Sequence, residues 1–257
     1  TSQIVRPDIS IITNIGDSHL ENLKSRSGIL KAKLEILEGM DDDGIFIYNI
    51  DDETMKDEIP NYKIKQKILS FGTSPGADFR IKFENSPNSK IRFSHEDEIY
   101  EVPLMGEHNI YNAAVSLMIA EILGLKKDAI NRGFLNSRSS QNRTELLECK
   151  GFDVLDDSYK SNPQSLKSAL DTLDSLSGYK RKIAIIGDML ELGDQEEELH
   201  REIGRYIDPN KVDYLLLTGP LSRFTAEEAK KRFPFEHVFY LNSKNDLIDK
   251  AKYLIQK

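Results

Sequence analysis

Lys33 lies in the run Gly-Ile-Leu-Lys-Ala-Lys-Leu-Glu-Ile-Leu-Glu-Gly-Met, residues 28–40. At about 100° per residue, Ile29, Leu30, Ala32, Leu34, Ile36, Leu37 and Met40 share one helical face. Lys31, Glu35 and Glu38 take the other, and Lys33 falls in the middle of the apolar one. A buried ammonium costs several kcal/mol unless it is paired or neutralised. Either the stem lies along apolar surface with its head in water, or the amine is held at a site with a lowered pKa or a covalent change. Fourteen residues earlier, His19 follows the apolar run Ile9, Ile11, Ile12 and Ile15, which closes in Gly16 and Asp17. That is the end of a strand, where open α/β sheets bind ligands.

Two further pairs could carry chemistry. Asp51 and Asp52 end the next strand and suit a metal or a turn. Asn109 and Asn112 stand three apart near the start of a helix. Their amides carry both a donor and an acceptor, which suits a nucleobase edge or the capping of the helix itself.

The elements that must position these residues follow from the pattern along the chain. Residues 45–50 form a strand after Asp43-Gly44. Lys67–Phe71, Phe79–Phe83 and Lys90–Phe93 alternate apolar with polar, separated by Gly, Pro, Asn and Ser. That predicts an antiparallel meander with one wet face. Helix returns at 106–123, with Gly124 as its C-cap, and again at 127–134. Residues 136–142, Asn-Ser-Arg-Ser-Ser-Gln-Asn, are polar and aperiodic, a linker between domains over 1–137 and 138–257. Beyond it strands at 152–155, 182–186, 214–217 and 238–241 alternate with helices at 163–176, 196–207, 221–232 and 245–255. Four β-α units of this spacing predict an α/β fold with a doubly wound parallel sheet. Its ligand edge carries 156–162, 187–193 and Thr218-Gly219-Pro220.

At 257 residues, 39 % hydrophobic and 30 % charged, the composition is that of a soluble globular chain. No apolar run approaches the ~18–20 residues of a membrane span, so no membrane insertion is expected. A net charge of −8 argues against a nucleic-acid partner, and an anionic substrate needs a locally positive pocket. The single cysteine, Cys149, makes no internal disulfide, and no secretory segment opens the chain. Both point to the cytoplasm. The chain holds no G-x-x-x-x-G-K-[ST] phosphate loop.

Taken together, these segments resemble the Mur ligases. The resemblance rests on Ile12-Thr13-Asn14-Ile15-Gly16 with His19-Leu20-Glu21, on Ala32-Lys33, and on Gly106 with His108-Asn109 and Tyr111-Asn112-Ala113. It continues through Arg143 and Glu145, Asp157, Tyr159, Asn162 and Pro163. The segment Gly187-Asp188-Met189-Leu190-Glu191-Leu192-Gly193, with His200 downstream, points to the branch that adds D-alanyl-D-alanine to UDP-N-acetylmuramoyl-tripeptide.

The resemblance implies an ADP-forming carbon–nitrogen ligase of peptidoglycan precursor synthesis, expected to be a monomer. It uses ATP and two Mg²⁺ ions and works through an acyl phosphate. It implies the later part of a central ATP-binding domain (parallel sheet plus small antiparallel meander), then a Rossmann-like C-terminal domain, the two closing about 136–142. Lys33 matches a lysine carbamylated by CO2, and His19 a magnesium ligand. Asn109 and Asn112 match adenine-side asparagines. Arg143 matches a phosphate contact and Asp157 a ribose contact. Tyr159, Asn162, Asp188 and Glu191 match the dipeptide side. The family's UDP-binding domain, phosphate loop and metal-binding glutamate precede the matched region, so a longer parent is expected and this chain alone is expected to be inactive. Two departures stand out. Asn142 replaces a glycine, and asparagine tolerates a left-handed backbone better than most residues. Lys160 replaces an asparagine in the acceptor loop. A sister ligase with another amine acceptor, or a non-catalytic nucleotide-binding fragment, remains the alternative.

Overall fold

Apolar runs of four to six residues, punctuated by glycine and acidic turns, build strands, and the longer 3.6-period runs cover them. The computed structural model describes residues 2–17, 20–86, 90–139 and 142–256. The chain divides into two compact units between Arg138 and Ser139.

The first unit opens with α1 (Ser2–Val5), β1 (Ile9–Ile12), α2 (Leu20–Leu23), α3 (Arg26–Leu34), β2 (Ile45–Asn49) and α4 (Glu53–Glu58). Strands β3 (Lys67–Gly72), β4 (Phe79–Phe83), β5 (Ile91–His95) and β6 (Glu98–Val102) follow, then α5 (His108–Ile122) and α6 (Lys127–Leu135). The six strands make one sheet in chain order. Strands β1 to β4 pair in parallel and β4 to β6 antiparallel. The meander expected over the three alternating runs is therefore displaced by one strand: Lys67–Phe71 belongs to the parallel part, with Ile47 opposite Leu69, and Glu98–Val102 takes its place in the antiparallel part. Alternation reports which faces are wet, not which way the neighbour runs. Phe71, Ile81, Phe93, Ala114 and Leu117 are fully buried and join the sheet to α5. Gly124, at φ +69°, follows α5 as expected of a C-cap.

The predicted helix over 28–40 is shorter than expected. Ser25 starts α3 by accepting from Gly28 N at 3.0 Å. The α-helix then gives way to a 3-10 turn at Glu35–Gly39, so the helical wheel holds only to Leu34. Ile29, Leu30 and Leu34 are buried, whereas Ile36 and Leu37 are only half-buried.

The second unit begins with β7 (Glu145–Cys149) and β8 (Phe152–Asp156). It continues through α7 (Pro163–Ser175), β9 (Ile183–Ile186), α8 (Glu196–Tyr206), β10 (Tyr214–Leu217), α9 (Ser222–Ala229), β11 (Val238–Tyr240) and α10 (Lys244–Gln256). A parallel sheet runs in the order β11-β10-β9. Leu215 and Leu217 pack with Ile203 and Ala226 on one face, and Leu216 packs with Leu247 and Leu254 on the other. Burial on both faces explains the uninterrupted apolar run in β10. The strand predicted at 152–155 is not a fourth member of that sheet. It pairs antiparallel with β7, Cys149 opposite Phe152. The connection is the dipeptide Lys150-Gly151, with Gly151 at φ +90°, which is a two-residue hairpin.

Candidate functional site

At the C-terminal end of β1 the backbone is held from several sides. Ile15 N donates to Asp52 Oδ2 at 2.7 Å, and Lys33 Nζ donates to the Asn14 carbonyl at 2.7 Å. Arg26 closes a two-point fork on Asp17, 2.8 and 3.0 Å. Lys33 is exposed as a residue, but its amine end is turned back onto the loop. Burial there lowers its pKa, against the opposing pull of Asp52. The side chain thus neither lies buried in the middle of an apolar face nor snorkels freely. His19 lies outside the described residues.

The aspartate pair after β2 is a strap. Asp52 caps α4 by accepting from Met55 N at 3.0 Å through Oδ1, while its Oδ2 takes Ile15. Asp51 Oδ1 accepts from Ser74 N and Oγ, 3.0 and 2.5 Å. Its Oδ2 accepts from Thr73 N and Oγ1, 2.6 and 2.8 Å, and from the Tyr111 hydroxyl, 3.1 Å. A carboxylate offers about four lone-pair sites, so Asp51 is fully spent on protein donors. Burial pushes its pKa up, but the Ser74 and Thr73 hydrogen bonds outweigh that and hold it below the ordinary value. Among the described residues, no three His, Cys, Asp or Glu side chains gather into a metal cluster.

The two asparagines open α5 together. Asn109 Nδ2 donates to the Met105 carbonyl at 2.7 Å, and Asn112 Nδ2 donates to Asn109 Oδ1 at 3.1 Å. Asn109 is half-buried and Asn112 exposed.

In the second unit the linker's end and the loop after β8 interlock. Asn142 sits at φ +61° and Thr144 at φ +45°. The left-handed turn expected at Asn142 is present. A β-branched residue at positive φ costs of order 1–3 kcal/mol. Buried Thr144 is held there by Asp157 Oδ1, which accepts from its N–H at 2.9 Å and its hydroxyl at 3.1 Å. Tyr159 N donates to the Asn142 carbonyl at 3.1 Å, and the Arg143 guanidinium lies 4.4 Å over the Tyr159 ring. Arg143, Asp157 and Tyr159 thus form one cluster. Asn162 makes a capping box at the start of α7, accepting from Ser165 N at 2.9 Å, with Pro163 in the first turn.

The loop after β9 is fixed at three points. Asp188 Oδ1 accepts from Leu221 N, Ser222 N and Ser222 Oγ, 3.0, 2.7 and 2.8 Å, and so ties this loop to the N-terminus of α9. Gly219, at φ +107°, lets the carboxylate pass: a Cβ there would come within 2.4 Å of Asp188 Oδ1. Buried His200 accepts from Met189 N through Nε2 at 3.0 Å. Its proton therefore sits on Nδ1, facing the Glu196 carbonyl at 2.6 Å. Glu191, at φ +62°, meets Lys160 Nζ at 3.0 Å. Lys160, the departure in the acceptor loop, is thereby joined to the loop after β9.

The strap at Asp51, the Asp17–Arg26 fork and the Thr144–Asp157 clasp were not legible as contacts in the sequence. Asp-Asp directly after a strand was the one visible signal.

Both units match domains of known proteins. Residues 1–120 match the Mur ligase middle domain, and residues 142–257 match the domain described as Mur ligase, glutamate ligase domain. UDP-N-acetylmuramoyl-tripeptide–D-alanyl-D-alanine ligase of Bacillus subtilis (strain 168) is 34 % identical over 254 residues, covering 98 % of this chain and 54 % of that protein. A crystal structure of MurF from Acinetobacter baumannii matches with a TM-score of 0.87 at 27 % identity, covering 99 % of this chain and 55 % of that one. MurF from Thermotoga maritima, solved in complex with ADP, has a TM-score of 0.75 at 23 % identity, over 99 % and 62 % of the two chains. At that identity the likeness is one of fold. The chain spans about half the length of the relatives it matches. With both units matched in order, the chain belongs to the Mur ligase family.

Proposed function

We propose that the full-length protein carrying this chain is an ATP-dependent, ADP-forming ligase of peptidoglycan precursor synthesis, acting in the cytoplasm. It joins D-alanyl-D-alanine to UDP-N-acetylmuramoyl-tripeptide. The observation that carries the proposal is the 34 % identity, over 98 % of this chain, to a ligase named for that reaction. Among the described residues, no helix is long and apolar enough to cross a membrane. Residues 1–137 are proposed as the later part of the central ATP-binding domain and 138–257 as the C-terminal ligase domain.

In this reaction the γ-phosphoryl group of ATP passes to the terminal carboxylate of the tripeptide, giving an acyl phosphate and ADP. The dipeptide amine attacks the acyl carbon, the nitrogen loses a proton, and the tetrahedral intermediate expels phosphate. Catalysis of this kind is chiefly positioning and charge neutralisation. On the first unit, Asn109 and Asn112 are proposed to meet the adenine edge. Lys33 is proposed to be a carbamate. Its lowered pKa favours the free amine that adds CO2, and a carbamate nitrogen keeps one N–H for the Asn14 carbonyl. Carbamylated Lys33 would be a Mg²⁺ ligand and His19 a ligand of the second of two Mg²⁺ ions, which would supply charge neutralisation at phosphate oxygens. On the second unit, the Arg143 guanidinium carbon lies over the Tyr159 ring, and its N–H donors are proposed for a phosphate. Asp157 Oδ2 is proposed for the ribose, its other oxygen being spent on Thr144. Tyr159, Asn162 and Glu191 are proposed for the dipeptide side, with Asp188 serving that side through the loop it ties to α9.

The test is ADP release by the full-length protein with Mg-ATP and UDP-N-acetylmuramoyl-tripeptide, with and without D-alanyl-D-alanine. Release that requires the dipeptide is expected. Release only with another amine or amino acid would move the protein to a sister ligase.

A further inference from the structure

Asp51 accepts from five donors of the first unit, and nothing in the proposed chemistry touches it. It follows β2 at the sheet edge where ligands bind in open α/β folds. Its five donors come from two separate places: the backbone and hydroxyls of Thr73 and Ser74, just after β3, and the Tyr111 hydroxyl on α5. The fit is close. A Cβ on Gly72 would come within 2.9 Å of the carboxylate, so no other residue type at position 72 leaves this approach undisturbed.

Tyr111 is equally constrained from its ring side. Phe71 and Phe83 meet it edge-on, with centroids at 6.5 and 5.5 Å. Burial and the Asp51 charge push its phenol up to about 12, so it stays a hydrogen-bond donor at any physiological pH. The hydroxyl on Asp51 and the ring between two phenylalanines leave Tyr111 one orientation. Because a helix is rigid over a turn, fixing Tyr111 fixes the direction of its neighbour Asn112. Asn112 in turn donates to Asn109, which donates to the Met105 carbonyl. The chain of contacts runs without a break from the end of β2 to the two amides.

We propose that Asp51 and Tyr111 are a positioning pair that sets the first turn of α5, and with it Asn112, against the adenine base. Neither residue touches the nucleotide; both act through Asn112. The proposal rests on the adenine-side reading of Asn112, and the test separates the two.

The experiment uses the full-length protein and compares Tyr111→Phe, Asp51→Asn and Asn112→Ala. For each, kcat and KM are measured with ATP and with inosine triphosphate, whose base carries an oxygen where adenine carries its amino group. KM for D-alanyl-D-alanine and the melting temperature are measured alongside. Tyr111→Phe removes only the hydroxyl and keeps the ring against Phe71 and Phe83, so it decides the matter even if Asp51→Asn does not fold. The expected result for Tyr111→Phe is a rise in KM for ATP of about threefold or more, the effect of losing one hydrogen bond's worth of positioning. The preference for ATP over inosine triphosphate narrows, kcat stays within about twofold, and KM for the dipeptide is unchanged. A lower melting temperature with KM for ATP and base preference intact would make the pair structural only and overturn the proposal. If Asn112→Ala shifts base preference and Tyr111→Phe does not, the positioning role alone falls. If Asn112→Ala leaves both KM for ATP and base preference unmoved, the adenine-side reading falls and takes the proposal with it.

Discussion

Replacing Asp188 by alanine separates two roles for the loop after β9. The carboxylate oxygen Oδ1 serves three donors at the start of α9. Leu221 is half-buried, so water can replace part of that bond. Ser222 is 0 % exposed, so its N–H and hydroxyl lose their acceptor with no water to substitute. An orphaned buried donor costs about 1–3 kcal/mol, and loss of a helix N-terminal cap costs about 0.5–2 kcal/mol. These overlap, and together they put Asp188→Ala at about 2–4 kcal/mol. For a unit of this size, 1 kcal/mol shifts the melting temperature by about 4 °C, so a fall of about 8–16 °C is expected. Asp188→Asn keeps an amide oxygen for the same donors and loses only the charge, so about 1 kcal/mol is expected. The assay is thermal melting combined with amide hydrogen exchange of peptides covering 221–229. Exchange there should quicken strongly in Asp188→Ala and slightly in Asp188→Asn. Gly219→Ala should mimic the alanine variant, because the new Cβ would displace the same oxygen. Unchanged melting and exchange, with a large loss of kcat/KM for the dipeptide in both Asp188 variants, would refute the clamp and make Asp188 a direct substrate contact.

If the proposed carbamate on Lys33 is right, Lys33→Ala in the full-length protein should remove most turnover and recover part of it with added small carboxylates; unchanged turnover would sink the metal-ligand assignment. Lys160 and Glu191 are both well exposed, at 44 % and 40 % of their side chains, so their ion pair is worth only about 0–1 kcal/mol. Lys160→Asn and Glu191→Gln should therefore barely move the melting temperature, yet each should change KM for the dipeptide, and the double variant should do so less than additively; strict additivity in KM would show that the two loops act independently.

Much of the element order was legible in the sequence, because burial leaves a periodic trace. The strands at 45–49, 183–186 and 214–217, and the helices after the last two, follow directly from apolar spacing, whereas the short helix at Glu53–Glu58 was not expected. Direction of pairing leaves no such trace. Lys67–Gly72 alternates like a meander strand but runs parallel to β2, and Phe152–Asp156 turns back on a strand whose only sequence signal was the Lys150-Gly151 turn. Helix type was equally hidden: the apolar spacing through Met40 continues where the backbone has tightened to a 3-10 turn.

For the candidate site, the sequence by itself determined which residue types stand where: Lys33 in the helix after β1, the Asn109–Asn112 pair at the start of α5, Arg143 just before β7, and Asp157 and the run from Gly187 to Gly193 at strand ends. It also determined the left-handed turn at Asn142, since that depends on one residue's own backbone preference. Only the tertiary structure decided what each polar group is used for. A carboxylate's role is set by the donors that reach it, and those come from distant segments. Asp51 and Asp52, adjacent in the chain, accept from different segments. One holds Thr73, Ser74 and Tyr111, and the other holds Ile15 and Met55. Lys160 meets Glu191 across thirty-one positions of sequence, and Asp188 meets Ser222 across thirty-four. Hydrogen bonds are short-ranged and directional, so such partnerships exist only once folding has brought their members within about 3 Å.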